Sequence, residues 1–583
     1  MSVLQAVESW AESQPDKLLF SFLDSAGAEI ERHSYASFIA RVDVIASHLV
    51  AIAKLEPNSR VLLAFPPGLE MICALFACAR AGMIGVPVAE PTSHNVKTAL
   101  LRIAHVANDC GAQVLLTSRD RRDLIRARSA IAEPSLARAL AGVVLLATED
   151  MVEADGPTPR CKPGEIFFLQ YTSGSTNQPK GVIVGHKNLM ANCAAVVDHD
   201  NPVGVSWLPQ HHDMGLMGYY IYPAMRGGHT FGFSPASFIR NPKLWLESIS
   251  RYKATASSAP NFAFDYCMME GRIPEETRAS LDLSSLRILM VAAEPVRPAI
   301  YRRFIRTFQR HGLKPESFFA AYGLAENTVA VSSYGRKMLS VSRQELAQNR
   351  VRITRQVSGI DSSVQLMSCG VPLADNEVRI VDPETRLPLR DGQVGEIWVS
   401  GASKCRGYWG KADLSRDVFE ATLASDPPTD RAFLRTQDMG FVHDGELYVC
   451  GRIKDMIIVR GQNIYPQDIE AAVEAASPAV RKGGVTAFAV GEEYDGYIAV
   501  VAEIAAGSDL PDPAAIGSAV RDALAIDVSR IVLVPPKSIP KTSSGKIIRS
   551  RTRELLSLGG LKILDELQRR EEGTPDSGQG PAG

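Results

Sequence analysis

The stretch YTSGSTNQPKG, residues 171–181, places hydroxyl side chains, two glycines and a lysine directly after an apolar run. That run, Ile166–Tyr171, predicts a buried strand. Glycine lets backbone N–H groups approach an anion closely, and successive N–H groups and hydroxyls in a loop form a phosphate cradle. Lys180 adds a positive charge. The Walker spacing G-x-x-x-x-G-K-[ST] is absent, so the loop predicts a phosphate site of another kind.

Apolar strand-like runs alternate with helical patterns on both sides of this loop. The segment Val61–Ala89 predicts a strand, a Pro-Pro-Gly turn, a helix and a second strand, and such β-α-β units build parallel sheets. Farther on, Val378–Val381 and Glu396–Val399 predict paired strands of a β-rich part. A new α/β pattern begins after residue 455. We therefore expect an α/β protein: a large N-terminal domain of layered α/β subdomains with a β-rich subdomain, and a small mobile α+β C-terminal domain.

Composition narrows the class of protein. The chain has 583 residues, of which 45% are hydrophobic and 22% charged, as in globular proteins. A net charge of −2 gives no reason to expect nucleic acid or an anionic membrane as a partner. Nine cysteines without a C-x-x-C pair favour a reducing compartment. The N-terminus lacks signal-peptide features and charges interrupt the apolar stretches, so we expect a cytoplasmic protein without stable membrane insertion.

The loop ending in Pro179-Lys180-Gly181 resembles the phosphate-binding loop of the adenylate-forming (acyl-activating) enzyme superfamily. The resemblance implies that the loop holds the outer phosphates of ATP. The residues that it assigns to this role are Thr172, Ser173, Gly174, Ser175, Thr176 and Lys180. Four further motifs follow in the superfamily's order along the chain.

The second motif is SWLPQHHDMGL, residues 206–216. It resembles the segment whose aromatic or histidine ring lies at the carboxylate-binding site, which assigns that role to His212. Two other interpretations remain open. The run of His211, His212 and Asp213 invites a metal site, although no further ligands stand at a fitting spacing. His212 could also be a core or helix-capping histidine.

The third motif joins AAEPV, residues 292–296, to AYGLAENT, residues 321–328. A turn of small residues after a strand can offer its backbone to a flat ring, and an aromatic side chain can stack on a base. The resemblance implies that Tyr322 stacks on adenine and that Glu326 associates with Mg²⁺, which prefers oxygen ligands. The neighbouring Ala293, Glu294 and Gly323 are assigned to the ATP site. For Glu326 alone, a solvated surface charge is the alternative.

The last two motifs lie near the C-terminal part. Asp438 and Arg452 resemble the pair that holds the ribose hydroxyls, and Lys454 matches the hinge. Gln437 replaces the glycine usual before that aspartate, so the turn should be strained if the position needs a positive φ. PKTSSGK, residues 540–546, resembles the mobile loop of the catalytic lysine, here Lys546, and a solvated basic patch is the alternative.

Four segments resemble fatty acyl-AMP ligases in particular: SWLPQHHDMGL at 206–216, APNFAFDYC at 259–267, SCGVPL at 368–373 and IKDMIIVRGQNIYPQDIE at 453–470. In that branch an extra segment after the magnesium motif hinders acyl-CoA formation, and the acyl group passes to the phosphopantetheine thiol of an acyl carrier protein. The polar residues 331–367 are the candidate insertion, with an ordinary surface loop as the alternative. The implied carrier is a separate protein or a carrier domain of a polyketide or peptide synthase. A fatty acyl-CoA synthetase is the nearest rival function, and a nucleotide-binding sensor or scaffold is a more distant one.

These expectations give a provisional map of the chain. The adenylation domain spans residues 1–451, the hinge 452–455, the mobile domain 456–570 and a disordered tail 571–583. ATP and Mg²⁺ are the expected cofactors and a medium- or long-chain fatty acid is the expected substrate. Trp207, Met214 and Phe264 are our candidates for the wall of the acyl pocket.

Overall fold

The computed structural model describes residues 2–51, 55–92, 96–131, 140, 142–152, 164–172, 179–197, 199–354, 363–425, 431–459, 462–491, 497–524, 526–542 and 545–568. The chain forms two compact units. The large unit consists of Met1–Ser340 and Gln365–Cys450, and the small unit consists of Val341–Val364 and Gly451–Gly583. The predicted tail, 571–583, lies outside the described residues.

A nine-stranded sheet forms the centre of the large unit. Its strands, in spatial order, are Val371–Pro372, Ser332–Gly335, Phe318–Tyr322, Ile288–Val291, Ala256–Ala259, Val203–Ser206, His229–Phe233, Leu18–Leu23 and Glu29–Ser34. The six strands from Phe318–Tyr322 to Leu18–Leu23 pair in parallel. Parallel strands share one carboxyl edge, where open α/β sheets bind ligands. The second and third sequence motifs follow directly from strands at this edge.

A six-stranded sheet carries the phosphate loop. Its order is Val144–Ala147, Val114–Thr117, Arg60–Leu63, Ile84–Pro87, Ile166–Thr172 and Lys180–Gly185. The last two strands are antiparallel, and the loop connects them. The strand–turn–helix–strand prediction for Val61–Ala89 is confirmed, with its helix at Glu70–Arg80. Strands buried on both faces read as continuous apolar runs, which is why these were visible in the sequence.

Helices cover the sheets of the large unit. Those described are Val3–Ser13, Tyr35–Ala51, Glu70–Arg80, Val96–Cys110, Arg119–Ile131, His186–Val196, Asp213–Leu216, Tyr222–Met225, Pro235–Arg240, Lys243–Arg251, Asn261–Met268, Glu275–Ser280, Pro298–Phe308 and Ala412–Phe419. The core between these layers is rich in fully buried aromatic side chains, among them Phe76, Phe167 and Trp245. The predicted α/β class is confirmed.

The β-rich part is a four-stranded antiparallel sheet. Its strands are Asn376–Val381, Gly395–Gly401, Leu434–His443 and Glu446–Arg452. The predicted pairing of the first two is confirmed, with Val378 opposite Val399. The third strand contains Asp438, so this sheet fixes the position of one predicted ATP-binding residue.

The small unit has its own sheet and core. The sheet order is Val480–Val490, Tyr497–Ile504, Arg530–Val534 and Asp565–Gln568, and a second pair of strands is Ile457–Val459 with Gln462–Ile464. Its helices are Arg343–Leu346, Pro466–Ala476, Pro513–Leu524 and Arg549–Ser557. Apolar side chains from these elements form a separate cluster that includes Ile469, Val500 and Ile531. The predicted α/β pattern after residue 455 therefore corresponds to a folded unit.

The candidate insertion, 331–367, contains regular structure. Ser332–Gly335 belongs to the nine-stranded sheet, and Met338–Ser342 pairs with Ser363–Met367. The helix Arg343–Leu346 begins after Ser342, whose hydroxyl accepts the N–H of Glu345. Within the described residues, no helix is both long and apolar enough to cross a bilayer.

One buried histidine gives the fold a pH dependence. His186 is 6% exposed, and its Nδ1 accepts the backbone N–H of Val3 at 3.2 Å. Burial lowers the pKa of His186 to about 4. In the unfolded chain the same ring takes up a proton near pH 6.5, so stability falls as the pH drops from about 6.5 to 4. At about pH 5 the loss from this residue should be about 2 kcal/mol.

The variant His186→Asn tests this prediction. The amide oxygen of asparagine can accept the Val3 N–H but does not titrate. We expect urea unfolding at about pH 7 and pH 5 to show a smaller pH dependence in the variant than in the natural protein. An equal pH dependence would contradict the assignment.

Candidate active site

Glu326 and Lys180 meet at one side chain, Tyr408. Glu326 lies in the short turn after the strand Phe318–Tyr322. The hydroxyl of Tyr408 donates to Glu326 Oε1 at 2.8 Å, and the Lys180 ammonium lies 5.3 Å from the centroid of the Tyr408 ring. Burial and the Glu326 carboxylate raise the pKa of Tyr408 well above its usual value, which keeps the hydroxyl protonated as a donor.

Tyr408 lies outside the five sequence motifs. It is placed by strand pairing: Ile183 N–H donates to Gly407 O at 2.9 Å, and Trp409 N–H donates to Gly181 O at 2.8 Å. The segment therefore runs alongside the strand that contains Lys180. The only local signal was Gly407 followed by two aromatic residues, a pattern that also occurs in ordinary turns.

Tyr322 and Asp438 are also brought together. The Tyr322 hydroxyl donates to Asp438 Oδ2 at 2.7 Å, and the two residues are 8% and 6% exposed. Tyr322 ends its strand, and only glycine fits next, because a Cβ on Gly323 would lie 1.7 Å from the Val329 carbonyl oxygen. The expected adenine-stacking and ribose-binding residues are thus neighbours.

The AAEPV turn follows the adjacent strand Ile288–Val291. Ala293 has a φ of 77°, a strained value for a residue with a Cβ. The Oε1 atom of Glu294 is buried and has no hydrogen-bond partner among the described residues. A buried acceptor without a donor fits a site that is completed by a ligand, such as the amino group of a base.

The turn before Asp438 has the geometry that the sequence led us to expect. Gln437 has a φ of 61°, a value that favours glycine. Glu396, fully buried, accepts the Gln437 N–H at 3.1 Å and is paired with Arg435 at 2.9 Å. The Asp438 N–H donates to the Thr436 hydroxyl at 3.1 Å. The anchored carboxylate holds the strained turn in place.

Substitution of Gln437 tests the strain. We expect Gln437→Gly to raise the free energy of unfolding by up to about 1 kcal/mol, because glycine adopts positive φ without steric cost. Gln437→Ala, which keeps a Cβ, is the matched control and should give no such gain. Thermal unfolding of both variants measures the difference. Equal effects would mean that the backbone is unstrained.

The turn containing His212 is held by polar contacts with its neighbours. His212 Nδ1 lies 2.5 Å from Asp213 Oδ1, and the Gln170 side chain donates to the His211 carbonyl at 3.0 Å. Since Gln170 lies in the strand before the phosphate loop, it links these two motifs. Burial lowers the pKa of His211 to about 3, which keeps that ring neutral at physiological pH.

No cluster of three or more histidine, cysteine, aspartate or glutamate side chains fit for a metal occurs in the described part of the chain. A single carboxylate such as Glu326, beside a phosphate site, suits Mg²⁺ shared with substrate phosphates.

The three candidates for the acyl pocket are buried. Trp207 follows the strand Val203–Ser206 and stacks on Phe238 with ring centroids 4.0 Å apart. Met214 lies in the short helix Asp213–Leu216 at 8% exposure, and Phe264 lies in the core against Phe304, with ring centroids 5.0 Å apart. Their role in acyl binding stays a prediction.

The remaining predicted residues belong to the small unit. Arg452 ends a strand and Lys454 lies in the turn Ile453–Asp455, both exposed. Lys546 is held by Thr542: the Lys546 N–H donates to the Thr542 hydroxyl at 3.1 Å, and the Thr542 N–H donates to the Lys546 carbonyl at 2.8 Å.

Residues 173–178 of the phosphate loop lie outside the described residues. Thr172 ends its strand, but its side chain is not among the described ones. The predicted residues outside the described ranges are Ser173, Gly174, Ser175 and Thr176.

The sequence of this chain is similar to those of known AMP-binding enzymes. The family of AMP-binding enzymes matches residues 7–409. A medium-chain-fatty-acid–[acyl-carrier-protein] ligase of Moorena producens is 35% identical over 578 residues, covering 97% of this chain and 96% of the relative. A long-chain-fatty-acid–AMP ligase of Mycobacterium marinum is 33% identical over 613 residues, covering 96% of this chain and 95% of the relative.

The fold of this chain is also similar to solved structures of fatty acyl-adenylate ligases. One from a study of fatty acyl-adenylate ligases of E. coli and L. pneumophila superposes with a TM-score of 0.82 at 29% identity, covering 96% of this chain and 98% of that one. A fatty acyl-adenylate ligase from L. pneumophila in complex with acyl adenylate and pyrophosphate has a TM-score of 0.70 at 35% identity, covering 97% and 98%.

Proposed function

The chain belongs to the AMP-binding enzyme family, and on that premise we propose that it is a fatty acyl-AMP ligase. It activates a medium- or long-chain fatty acid with ATP and transfers the acyl group to the phosphopantetheine thiol of an acyl carrier protein. The observation that carries the proposal is the meeting of Lys180 and Glu326 at Tyr408, beside the Tyr322–Asp438 pair. The Lys180 cation suits the phosphates of a nucleotide, and the Glu326 carboxylate suits the Mg²⁺ that accompanies those phosphates.

The first half-reaction forms the acyl adenylate. A carboxylate oxygen of the fatty acid forms a bond to the α-phosphorus of ATP, the bond from that phosphorus to the β-bridging oxygen breaks, and pyrophosphate leaves. Positioning and charge neutralisation supply most of the catalysis in such a displacement. We assign His212 to the acid's carboxylate, Lys180 to the outer phosphates and Lys546 to the charge that develops at the reacting atoms.

The nucleoside is held by the neighbouring residues. In this proposal Tyr322 stacks on adenine, Glu294 accepts its amino group, and Asp438 and Arg452 bind the ribose hydroxyls. Glu326 is the residue that would hold Mg²⁺, which neutralises phosphate charge when bound. Its carboxylate fits this role because Mg²⁺ prefers oxygen ligands and because Glu326 lies in the turn directly after the strand that ends at Tyr322.

The second half-reaction releases AMP. The carrier thiol attacks the carbonyl carbon of the mixed anhydride, the bond from that carbon to the phosphate oxygen breaks, and the thiol proton passes to solvent. We propose a separate carrier protein, or a carrier domain of a polyketide or peptide synthase, as the acceptor. The relatives named as acyl-carrier-protein ligases support this choice. We place the reaction in the cytoplasm, where carrier thiols stay reduced.

Product analysis tests the proposal. The enzyme is incubated with ATP, Mg²⁺ and dodecanoate, with CoA in excess, and the products are identified by mass spectrometry. We expect acyl-AMP and pyrophosphate without acyl-CoA. Abundant acyl-CoA would instead make the protein a fatty acyl-CoA synthetase. If neither acyl-AMP nor acyl-CoA forms, from dodecanoate or from fatty acids of other chain lengths, the proposal of fatty-acid activation is overturned.

A further inference from the structure

Residues 403–411, with the sequence SKCRGYWGK, contact three parts of the active site at once. We call them the 403–411 segment. Neither the sequence motifs nor the proposed roles assign a function to it. Its contacts involve both strands that flank the phosphate loop and the turn that contains Glu326.

The first contact is with the strand after the phosphate loop. Backbone hydrogen bonds join Gly407 to Ile183 and Trp409 to Gly181, at 2.9 and 2.8 Å. They place the face of the Tyr408 ring against the Lys180 ammonium, 5.3 Å from the ring centroid. An ammonium over an aromatic face is attracted to the ring, so the Tyr408 ring helps to hold the Lys180 side chain in place.

The second contact is with the strand before the phosphate loop. The Lys411 ammonium lies 2.7 Å from Asp109 Oδ1, and the Tyr171 hydroxyl donates to Asp109 Oδ2 at 2.6 Å. Tyr171 immediately precedes the hydroxyl-rich part of the loop. Through one carboxylate, the 403–411 segment therefore also fixes the other end of the loop.

The third contact is with the turn of Glu326. The Tyr408 hydroxyl donates to the Glu326 carboxylate at 2.8 Å, and the Cys405 N–H donates to the Glu326 carbonyl at 2.9 Å. The Thr328 hydroxyl donates to the Ser403 carbonyl at 2.6 Å. Thr328 is fully buried with a φ of 65°, so the segment secures a strained turn.

We propose that the 403–411 segment aligns the phosphate loop with Glu326, and that Tyr408 is the positioning residue at the junction. Its ring face meets the cation of Lys180 while its hydroxyl meets the anion of Glu326. Without the hydroxyl, the Glu326 carboxylate loses the hydrogen bond that fixes Oε1, so Mg²⁺ must bind a carboxylate that is held less firmly in position. This inference rests on the proposed function.

The test is Tyr408→Phe, with Tyr35→Phe as the matched control. Tyr35 is also fully buried, and its hydroxyl donates to backbone, at 3.1 Å to Gly228 O, away from these motifs. Calorimetry measures ATP binding with and without Mg²⁺. We expect the gain in ATP affinity on adding Mg²⁺ to be about tenfold smaller in Tyr408→Phe than in the natural protein, the size typical of a lost hydrogen bond to a charged group. Tyr35→Phe should keep the full gain.

Kinetics supply a second readout. In Tyr408→Phe the Mg²⁺ concentration for half-maximal pyrophosphate release should rise about tenfold, while the KM for dodecanoate stays within about twofold. Lys411→Met acts on the other end of the loop and should weaken ATP binding equally with and without Mg²⁺.

The outcomes separate the two proposals. An unchanged response to Mg²⁺ in Tyr408→Phe would overturn the role of Tyr408, even if the natural enzyme makes acyl-AMP. A natural enzyme that makes no acyl-AMP would overturn the proposed function, while the calorimetric comparison would still decide the positioning role.

Discussion

Replacement of Lys546 by alanine should lower the rate of acyl-AMP formation by about 10²–10³-fold, the usual effect of removing one preorganised group from a charged transition state. The reciprocal hydrogen bonds between Thr542 and Lys546 fix the backbone from which this side chain projects. Pyrophosphate release with saturating ATP and fatty acid measures the effect.

A control variant and the second half-reaction distinguish a loss of catalysis from a loss of folding in Lys546→Ala. Lys562→Ala removes an exposed lysine from the same unit and should leave the rate within about twofold. Acyl transfer from chemically supplied acyl-AMP should persist in Lys546→Ala, because that half-reaction does not involve the α-phosphate displacement. A fully active Lys546→Ala variant in adenylate formation would refute the assignment.

Replacement of Arg549 by methionine should destabilise the small unit by about 3–5 kcal/mol, because it leaves the buried Glu470 carboxylate without its cation. Arg549 Nε and Nη2 both lie 2.8 Å from Glu470, and Nη1 lies 3.1 Å from Asp455. Glu470 is only 4% exposed. Hydrogen exchange in the strand Val480–Val490 reports the opening free energy of this unit without assuming that the whole chain unfolds in one step.

Two further variants locate the cause of that loss. Adding Glu470→Gln to Arg549→Met neutralises the stranded carboxylate and should restore part of the stability. Arg521→Met breaks an exposed pair with Asp527 in the same unit and should cost less than about 1 kcal/mol. Similar losses from the buried and the exposed arginine would argue against the buried network.

The Arg549 network also concerns the reaction. Asp455 follows the predicted hinge residue Lys454, and Arg549 follows Lys546 by three positions. Arg549 thus connects the hinge turn to the lysine loop within one unit, so the two should move together. A partly active Arg549→Met enzyme would be expected to lose adenylation more than stability alone explains.

Much of the fold could be predicted because buried parallel strands are continuous apolar runs. The strands at Arg60–Leu63, Ile166–Thr172 and Ile288–Val291 were visible for that reason. Gln437 stands where glycine is usual, and its φ of 61° meets the condition on which the expected strain depends. The strands Ser332–Gly335 and Met338–Ser342 could not be predicted from the sequence, since short, half-exposed strands leave weak patterns.

The sequence by itself determined which functional groups the protein has: a hydroxyl- and glycine-rich loop with Lys180, a carboxylate at Glu326 and a lysine at position 546. Only the tertiary structure decided which groups meet. Tyr408 reaches Glu326 and Lys180 because its segment pairs with the strand after the phosphate loop, and Asp438 reaches Tyr322 because the β-rich sheet holds it there. Local patterns record the periodicity of one element, whereas contacts between distant segments depend on the register of sheets that form only when the whole unit folds.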